Sequence, residues 1–258
     1  MTQNPSRDRA KTFFTREEIP DGPLGRMASG RGLGLRRAVL DLERLRDAAL
    51  GDFSGKRLLE LGAGYGLELV QLALKGARAV GVDFSLTRLG RAPLLAESAG
   101  VSAAAVVGDC HDLPFRDGAF DVVYGNSILN HLNRPRSLNE IRRVLAPGGR
   151  LVVCEPLDRH PLLKPYRRRL KAREGVVSYL AYEELEADLL GGGYELQPLG
   201  LTSALLLPPA ALGFDGPCWR GAARLLNRLD RFLFRKSAWA GRHAWVCLAL
   251  YRGRALGR

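Results

Sequence analysis

The sequence predicts an α/β protein built on a doubly wound, largely parallel sheet. Between about residues 56 and 156, short apolar segments alternate with segments whose apolar residues recur at helical spacing. A glycine loop, Gly62–Gly66 in "LLELGAGYG", follows the first apolar segment. Polar residues end or follow the other segments, and such sheets bind ligands beyond the carboxyl ends of their strands. These observations predict both the fold class and the edge of the sheet that carries a site.

The predicted elements follow one another in a regular rhythm. The five predicted strands are "RLLEL", "RAVGVD", "AAAVVGD", "FDVVYGN" and "RLVVCEP". The helix "GLELVQLALKG" ends at a glycine. In "SLTRLGRAPLLAESAG", Ser85 is a candidate N-cap and Pro93 is expected to kink the helix or break it early. The last helix of this region, "PRSLNEIRRVLAPGG", is expected to close in a glycine turn.

The segments before and after this region are predicted to add helices, two further strands and a substrate cap to the sheet. Residues 1–55 form a helical preface or lid, in which "RRAVLDLERLRDAAL" has helical apolar spacing. The main domain covers residues 56–258, with substrate-cap insertions at about residues 157–180 and 204–240. The second insertion holds "PCWRGAARLLNRLDRFLFRK", a basic amphipathic helix between two further strands, "YELQPLGL" and "HAWVCLALYRG".

Composition narrows the class of protein. No apolar run approaches the roughly 18 residues of a membrane span, and the first residues lack the apolar stretch of a secretory signal. The four cysteines form no C-x-x-C pair, so we expect a cytoplasmic protein without a metal, whose thiols are buried as small hydrophobes. The net charge of +12 leaves nucleic acid, anionic lipid and anionic small substrates open as partners, beside a plain arginine-rich composition.

Four segments in order carry a family resemblance. They are "LLELGAGYG", "AVGVDFS", "VVGDCHDLPFRDGAFDVVYGN" and "EIRRVLAPGGRLVVCEP". With them the chain resembles the class I S-adenosylmethionine-dependent methyltransferases, in particular the small-molecule branch that includes quinone-biosynthesis enzymes. The resemblance implies a Rossmann-like, seven-stranded sheet with an antiparallel final hairpin and S-adenosylmethionine as the cofactor. The G-x-G-x-G spacing differs from the G-x-G-x-x-G of dinucleotide-binding loops and disfavours a nicotinamide enzyme.

The resemblance also implies which residues hold the cofactor. A carboxylate at Glu60 suits its ammonium group, although a structural ion pair is the alternative for this residue. Asp83 accepts hydrogen bonds from both ribose hydroxyls, and Phe84 lies against the adenine. Asp109 accepts from the adenine amino group, while the backbone amide of Cys110 donates to the ring. The expected cofactor-binding set is Glu60, Gly62, Ala63, Gly64, Gly66, Asp83, Phe84, Ser85, Asp109, Cys110 and Asn126.

Catalysis is expected beside the fourth strand. Asn126 ends this strand and is expected under the sulfonium of the cofactor. His131, in "NSILNHL", is the candidate general base, with a pKa near neutrality; packing on the following helix is its alternative role. Glu155 is a second candidate base, Tyr65 contacts substrate or covers the cofactor, and His111 is expected at the surface.

The predicted function is methyl transfer to a small-molecule acceptor, an apolar or anionic metabolite. After the fourth strand the chain has "NSIL" where amino-methylating enzymes of this class carry Asn/Asp-Pro-Pro-aromatic, so nucleic acid is not favoured as substrate. An RNA methyltransferase and a non-catalytic cofactor-binding regulator remain the alternatives. The segments "RMASGRGLGLRR" and "PYRRRLKAR" are candidates to clamp a phosphate or carboxylate. The basic amphipathic helix is interpreted as a cap packed on the core, a substrate lid or a helix lying on an anionic membrane.

Overall fold

A computed structural model describes residues 39–165, 167–168, 179–190, 193–207 and 217–253. In this part of the chain, helices flank both faces of a seven-stranded mixed sheet. The strands are β1 Arg57–Leu61, β2 Arg78–Asp83, β3 Ala103–Val107, β4 Phe120–Asn126, β5 Leu145–Pro156, β6 Tyr194–Leu199 and β7 Val246–Arg252. The α-helices are α1 Leu42–Leu50, α2 Leu67–Leu74, α3 Leu86–Leu89, α4 Ala92–Ser98, α5 Arg134–Val144, α6 Tyr182–Leu190, α7 Pro217–Lys236 and α8 Ala238–Arg242. Short 3₁₀ helices cover Leu129–His131 and Ser203–Leu206.

The strand order across the sheet is β3-β2-β1-β4-β5-β7-β6. The first five strands are parallel to their neighbours, whereas β7 runs antiparallel to both β5 and β6. The predicted fold class, including the antiparallel final hairpin, is therefore confirmed. The strand order reverses between β1 and β4, the place at which doubly wound sheets form a crevice for ligands.

Two apolar cores lie on opposite faces of the sheet. Successive residues of a strand point to opposite faces, and Leu58 and Leu59 of β1 accordingly belong to different cores. Leucines of α1, α2 and α3 pack in the first core, and leucines of α5 and α6 pack in the second. The central strands β1 and β4 are consequently buried along most of their length, as expected for parallel strands that are covered on both faces.

Local sequence signals mark the start of several helices. The Ser85 hydroxyl accepts from the Arg88 amide at 3.4 Å and caps α3, and Pro93 lies in the first turn of α4, so the predicted helix is broken into two. Strand β5 begins at Leu145 rather than at the predicted residue 150, because Leu145 already pairs with Phe120 ahead of a register shift. The glycine turn expected after α5 therefore lies within the irregular start of β5.

Some of the predicted features lie in residues that the structure does not describe. The basic segment at residues 26–37 and most of the one at residues 165–173 belong to this group. Of the four cysteines, Cys218 is exposed at the start of α7, so the expectation that all the thiols are buried is wrong for this residue. Among the described residues, no helix is both long enough and apolar enough to cross a membrane.

Candidate functional site

The glycine loop between β1 and α2 follows a path that other residues rarely adopt. Gly62, Gly64 and Gly66 have φ angles of +65°, +53° and +79°, a region that favours glycine. A Cβ atom on Gly62 would lie 2.7 Å from Ile128 Cδ1, and one on Gly66 would lie 2.5 Å from Ala92 Cβ. The absence of side chains therefore allows α4 and the segment after β4 to approach the loop closely.

Asp83 joins this loop to the end of β2. Its Oδ2 accepts from the Gly64 amide at 2.8 Å, and its Oδ1 accepts from the Ser85 amide at 2.9 Å. Phe84, which lies between Asp83 and Ser85 in the sequence, is half-buried. A carboxylate offers about four acceptor positions, so each oxygen of Asp83 keeps capacity for one more donor. Asp83 is buried, with 5% exposure, and its charge acts in a weakly screened environment.

Glu68, in the first turn of α2, is a central residue that the sequence analysis missed. Tyr124 Oη donates to its Oε1 at 3.2 Å, and Asn126 Nδ2 donates to its Oε2 at 3.0 Å. The Arg46 guanidinium of α1 lies 3.5 Å from Oε1. Glu68 thus fixes the amide of Asn126 at the end of β4. An acidic residue just after a glycine loop is the available signal, since carboxylates are favoured near helix N-termini.

His111 is buried, and the expectation of a surface position is wrong. Its Nδ1 lies 2.5 Å from Asp109 Oδ1, and its Nε2 accepts from the Asn133 amide at 2.8 Å. These two contacts suit a ring that donates from Nδ1 and accepts at Nε2. Arg136 Nε also donates to the His111 carbonyl. The N-terminal turn of α5 covers this histidine, and the histidine in turn orients the Asp109 carboxylate.

Cys110 connects the end of β3 to the glycine loop. The Gly62 amide donates toward its sulfur, and Asp83 and Asp109 are close enough to act on it electrostatically. Burial, followed by these two carboxylates, raises the pKa of the Cys110 thiol to about 12. The thiol is therefore neutral at pH 7.

The segment after β4 is held in a strained conformation. Ser127 has a φ angle of +56°, which is uncommon for a residue other than glycine. Glu155 is fully buried at the end of β5, where its Oε1 accepts from the amides of Ile128 and Leu129 at 2.9 and 2.8 Å. These bonds favour a positioning role for Glu155, the second base candidate, rather than proton transfer.

His131 ends the 3₁₀ helix that this segment forms. Burial and the nearby charge of Arg88 lower the pKa of His131 to about 4, below the value near neutrality that the sequence analysis expects. The guanidinium carbons of Arg88 and Arg91 lie 5.1 and 5.5 Å from the centre of the Tyr65 ring. One histidine, two arginines and an aromatic side chain of the glycine loop thus occupy the same side of the sheet edge.

The predicted cofactor residues therefore lie along one edge of the sheet. Hydrogen bonds or short electrostatic contacts connect the glycine loop to the ends of β2 and β3, and Glu68 connects it to β4. Glu60 is buried in β1, where it pairs with Gly81 and Tyr124 of the flanking strands, and the Ala63 amide donates to the Val82 carbonyl. Among the described residues, no three His, Cys, Asp or Glu side chains are grouped to hold a metal ion.

Comparison with known proteins gives matches in the same region. Residues 59–153 match a family described as a methyltransferase domain. A demethylmenaquinone methyltransferase of Clavibacter sepedonicus is 40% identical over 110 residues, which are 42% of this chain and 44% of that protein. The enzyme of the same name from Thermus thermophilus is 38% identical over 136 residues, or 51% of this chain and 59% of that protein. The alignments with these two relatives thus span about half the length of each protein.

The fold extends beyond the region of sequence similarity. Geranyl diphosphate C-methyltransferase from Streptomyces coelicolor aligns with 99% of this chain and all of its own, with a TM-score of 0.63 and 15% identity. At this identity the likeness shows a shared fold. It agrees with the predicted seven-stranded sheet, including the two strands that follow the matched region.

Proposed function

We propose that this chain, whose residues 59–153 match a family described as a methyltransferase domain, is a class I S-adenosylmethionine-dependent methyltransferase that transfers a methyl group to a small apolar acceptor. The proposal rests on one observation: three features lie together at the same edge of the sheet. They are the Asp83 carboxylate, the glycine loop and the segment that carries His131. The relatives named demethylmenaquinone methyltransferases support a quinone-like acceptor. We expect the protein to act in the cytoplasm, where free thiols stay reduced.

The residues at this edge fit S-adenosylmethionine. In the glycine loop, Gly64 has open space beside its Cα, whereas Gly62 and Gly66 pack against Ile128 and Ala92. Each Asp83 oxygen keeps capacity for a ribose hydroxyl. Glu60 is assigned to the ammonium group of the cofactor, and Asp109 with the Cys110 amide to its adenine. When bound, the cofactor supplies an electrophilic methyl group. The protein contributes mainly by holding acceptor and methyl group in line.

Proton removal from the acceptor is assigned to His131. Its neutral imidazole is the dominant form at pH 7, because its pKa is about 4, so it is ready to accept a proton. Glu155 fixes the segment that carries it through two backbone amides. Negative charge that develops on the acceptor as its proton leaves would offset the charge of Arg88 and raise the pKa of His131, which would make it a stronger base in the complex.

Ligand-induced stabilisation tests the cofactor assignment. S-Adenosylmethionine and S-adenosylhomocysteine are each expected to raise the melting temperature, because both bind the folded state. At 100 times the Kd the gain is about 2.7 kcal/mol, or roughly 5–10 °C for a domain of this size. NAD at the same concentration serves as the control. A shift with NAD and none with the two sulfur compounds would reject the assignment.

The role of Asp83 is tested by its replacement with alanine. Loss of hydrogen bonds to a charged acceptor is expected to weaken S-adenosylmethionine binding by about 1.5–3 kcal/mol, measured by calorimetry. Asp117→Ala removes a carboxylate that is 82% exposed, and its affinity is expected to match the unchanged protein. Since Asp83 also holds the Gly64 and Ser85 amides, circular dichroism must verify folding. Unchanged affinity in a folded Asp83→Ala protein would contradict the role.

Substrate class is tested by measuring S-adenosylhomocysteine release. Reduced quinones that lack a ring methyl group are expected to give product above the rate without acceptor. Bulk RNA is the comparison substrate, since the net charge of +12 is the feature that favours it. Product with RNA and none with any apolar acceptor would replace the proposal with an RNA methyltransferase. Cofactor binding without turnover on either would favour a regulatory protein.

A further inference from the structure

The long helix α7 is fixed to the domain by a buried carboxylate. Asp230 accepts five hydrogen bonds of 2.6–3.2 Å, from the amides of Leu201, Thr202 and Ser203 and from the hydroxyls of Thr202 and Ser203. Asn227 Nδ2 also donates to the Val39 carbonyl at 2.7 Å. These bonds determine which face of α7 packs inward and therefore which faces remain at the surface.

The first outward face of α7 is apolar. Leu225, Leu229 and Phe232 are 65%, 42% and 49% exposed. Their i, i+4, i+7 spacing places them in one row along the helix. Large apolar side chains lined up in water are unfavourable, by about 25 cal/mol per Å² of apolar surface, and such a row is typical of a surface that binds something apolar.

The second outward face of α7 is basic. Arg228, Arg231 and Arg235 line a groove of about 730 Å³ between α7, α6, α8 and β6, and Arg242 of α8 completes it. Glu186 is the carboxylate in the lining. Within the described ranges, no hydrogen bond or ion pair joins the three α7 arginines to an acidic group, whereas Arg242 Nε lies 3.6 Å from Glu183. The groove therefore has an excess of positive charge.

The position of α7 relates these two faces to the candidate site. Strand β6 runs parallel to β5, and Leu199 at its end and Pro156 at the end of β5 both pair with Val246. The segment that carries α7 and α8 thus leaves and rejoins the sheet at the carboxyl edge of the parallel strands. The glycine loop after β1 lies at the same edge.

We propose that α7 binds the surface of an anionic membrane, with its apolar row among the acyl chains and its arginine groove at the lipid phosphates. Helices of this type lie in the membrane interface and combine buried apolar area with attraction to anionic lipids. An RNA partner would use the arginines but would leave the row of Leu225, Leu229 and Phe232 in water. The proposal does not depend on methyl transfer, although a membrane would bring apolar acceptors near the site.

Vesicle flotation of the full chain tests the electrostatic part. Binding is expected to vesicles of phosphatidylcholine mixed with phosphatidylglycerol, and to be much weaker with phosphatidylcholine alone. Replacing Arg228, Arg231 and Arg235 together with glutamine is expected to lower the partition coefficient roughly 100-fold, about fivefold for each arginine near an anionic surface. The control changes three exposed arginines elsewhere, Arg78, Arg116 and Arg252, to glutamine and is expected to lose far less.

A second triple variant tests the apolar part. Changing Leu225, Leu229 and Phe232 to serine is expected to reduce partitioning by at least about tenfold, since burial of even one such side chain contributes that much. The control changes three other exposed leucines, Leu74, Leu94 and Leu162, to serine and is expected to bind like the unchanged chain. Circular dichroism and the melting temperature without ligand verify folding in every variant.

Three results would overturn the proposal. One is equal binding to neutral and anionic vesicles. Another is unchanged vesicle binding in the serine variant. The third is RNA binding that requires Arg228, Arg231 and Arg235 in a chain that binds no vesicles, which would identify the groove as a nucleic-acid surface with strong salt dependence.

Discussion

Replacing His131 with alanine is expected to lower turnover by about 10²–10⁴-fold, the usual contribution of a general base. The affinity for S-adenosylmethionine is expected to change little, because the contacts assigned to ribose and adenine come from β2 and β3. Single-turnover kinetics and calorimetry on the same preparation separate the two effects. The matched control is His243→Ala, which removes an imidazole stacked on Trp239 with 4.3 Å between ring centres and is expected to leave turnover unchanged.

The pH profile provides the sharper part of this test. A base must be neutral to accept a proton, so kcat/KM is expected to fall as pH decreases through the pKa of His131, about 4 in the free protein. The decline therefore lies well below the ordinary histidine value near 6.5, and the alanine variant is expected to lack it. Near-normal turnover and an unchanged profile in folded His131→Ala would reject the base and leave catalysis to positioning alone.

Replacing Arg46 with methionine is expected to reduce the free energy of unfolding by about 3–5 kcal/mol, the usual cost of leaving one member of a buried ion pair without its partner. Arg46 is 1% exposed and lies between Asp47 and Glu68, with its guanidinium carbon 5.7 Å from the centre of the Tyr124 ring. Methionine fills much of the same volume but leaves the Glu68 carboxylate without the arginine charge. Urea denaturation measures the loss.

Two further variants show whether the cost arises from the buried charge. Arg57→Met breaks a pair with Asp121 in which the side chains are 39% and 32% exposed, and about 0–1 kcal/mol is expected for such a pair. Adding Glu68→Gln to Arg46→Met is expected to recover part of the loss, because the remaining partner is then uncharged. Equal losses for Arg46→Met and Arg57→Met would contradict the account.

The sequence predicted the fold and the edge that carries the site because both depend on short-range patterns. The segments from "LLELGAGYG" to "RLVVCEP" each specify one strand and the turn after it. Glu68 was missed, and His111 was wrongly expected at the surface, because the environments of both residues come from distant parts of the chain. Tyr124 and Asn126 bind Glu68 from β4, and Asn133 covers His111 from the start of α5. The assigned roles at the site remain predictions.

The hydrophobic pattern of α7 was also not sufficient to predict which face of the helix packs inward. The sequence groups Leu225, Leu226, Leu229, Phe232 and Leu233 on one broad face opposite the arginines. In the structure Ala223 and Asp230 are buried instead, while much of the apolar face meets solvent. Five hydrogen bonds to one carboxylate determine the rotation of the helix, and hydrophobic periodicity contains no information about them.

The strand order leaves β5 without one of its neighbours for part of protein synthesis. Strand β7 separates β5 from β6, so one hydrogen-bonding edge of β5 lacks its partner until Val246–Arg252 has been made. About 90 residues lie between Pro156 and Val246, which a ribosome adds in roughly 5–20 s. During this interval the nascent chain exposes an unpaired strand edge that can join other chains. The yield of folded protein should therefore depend on translation rate and on chaperones that shield this edge.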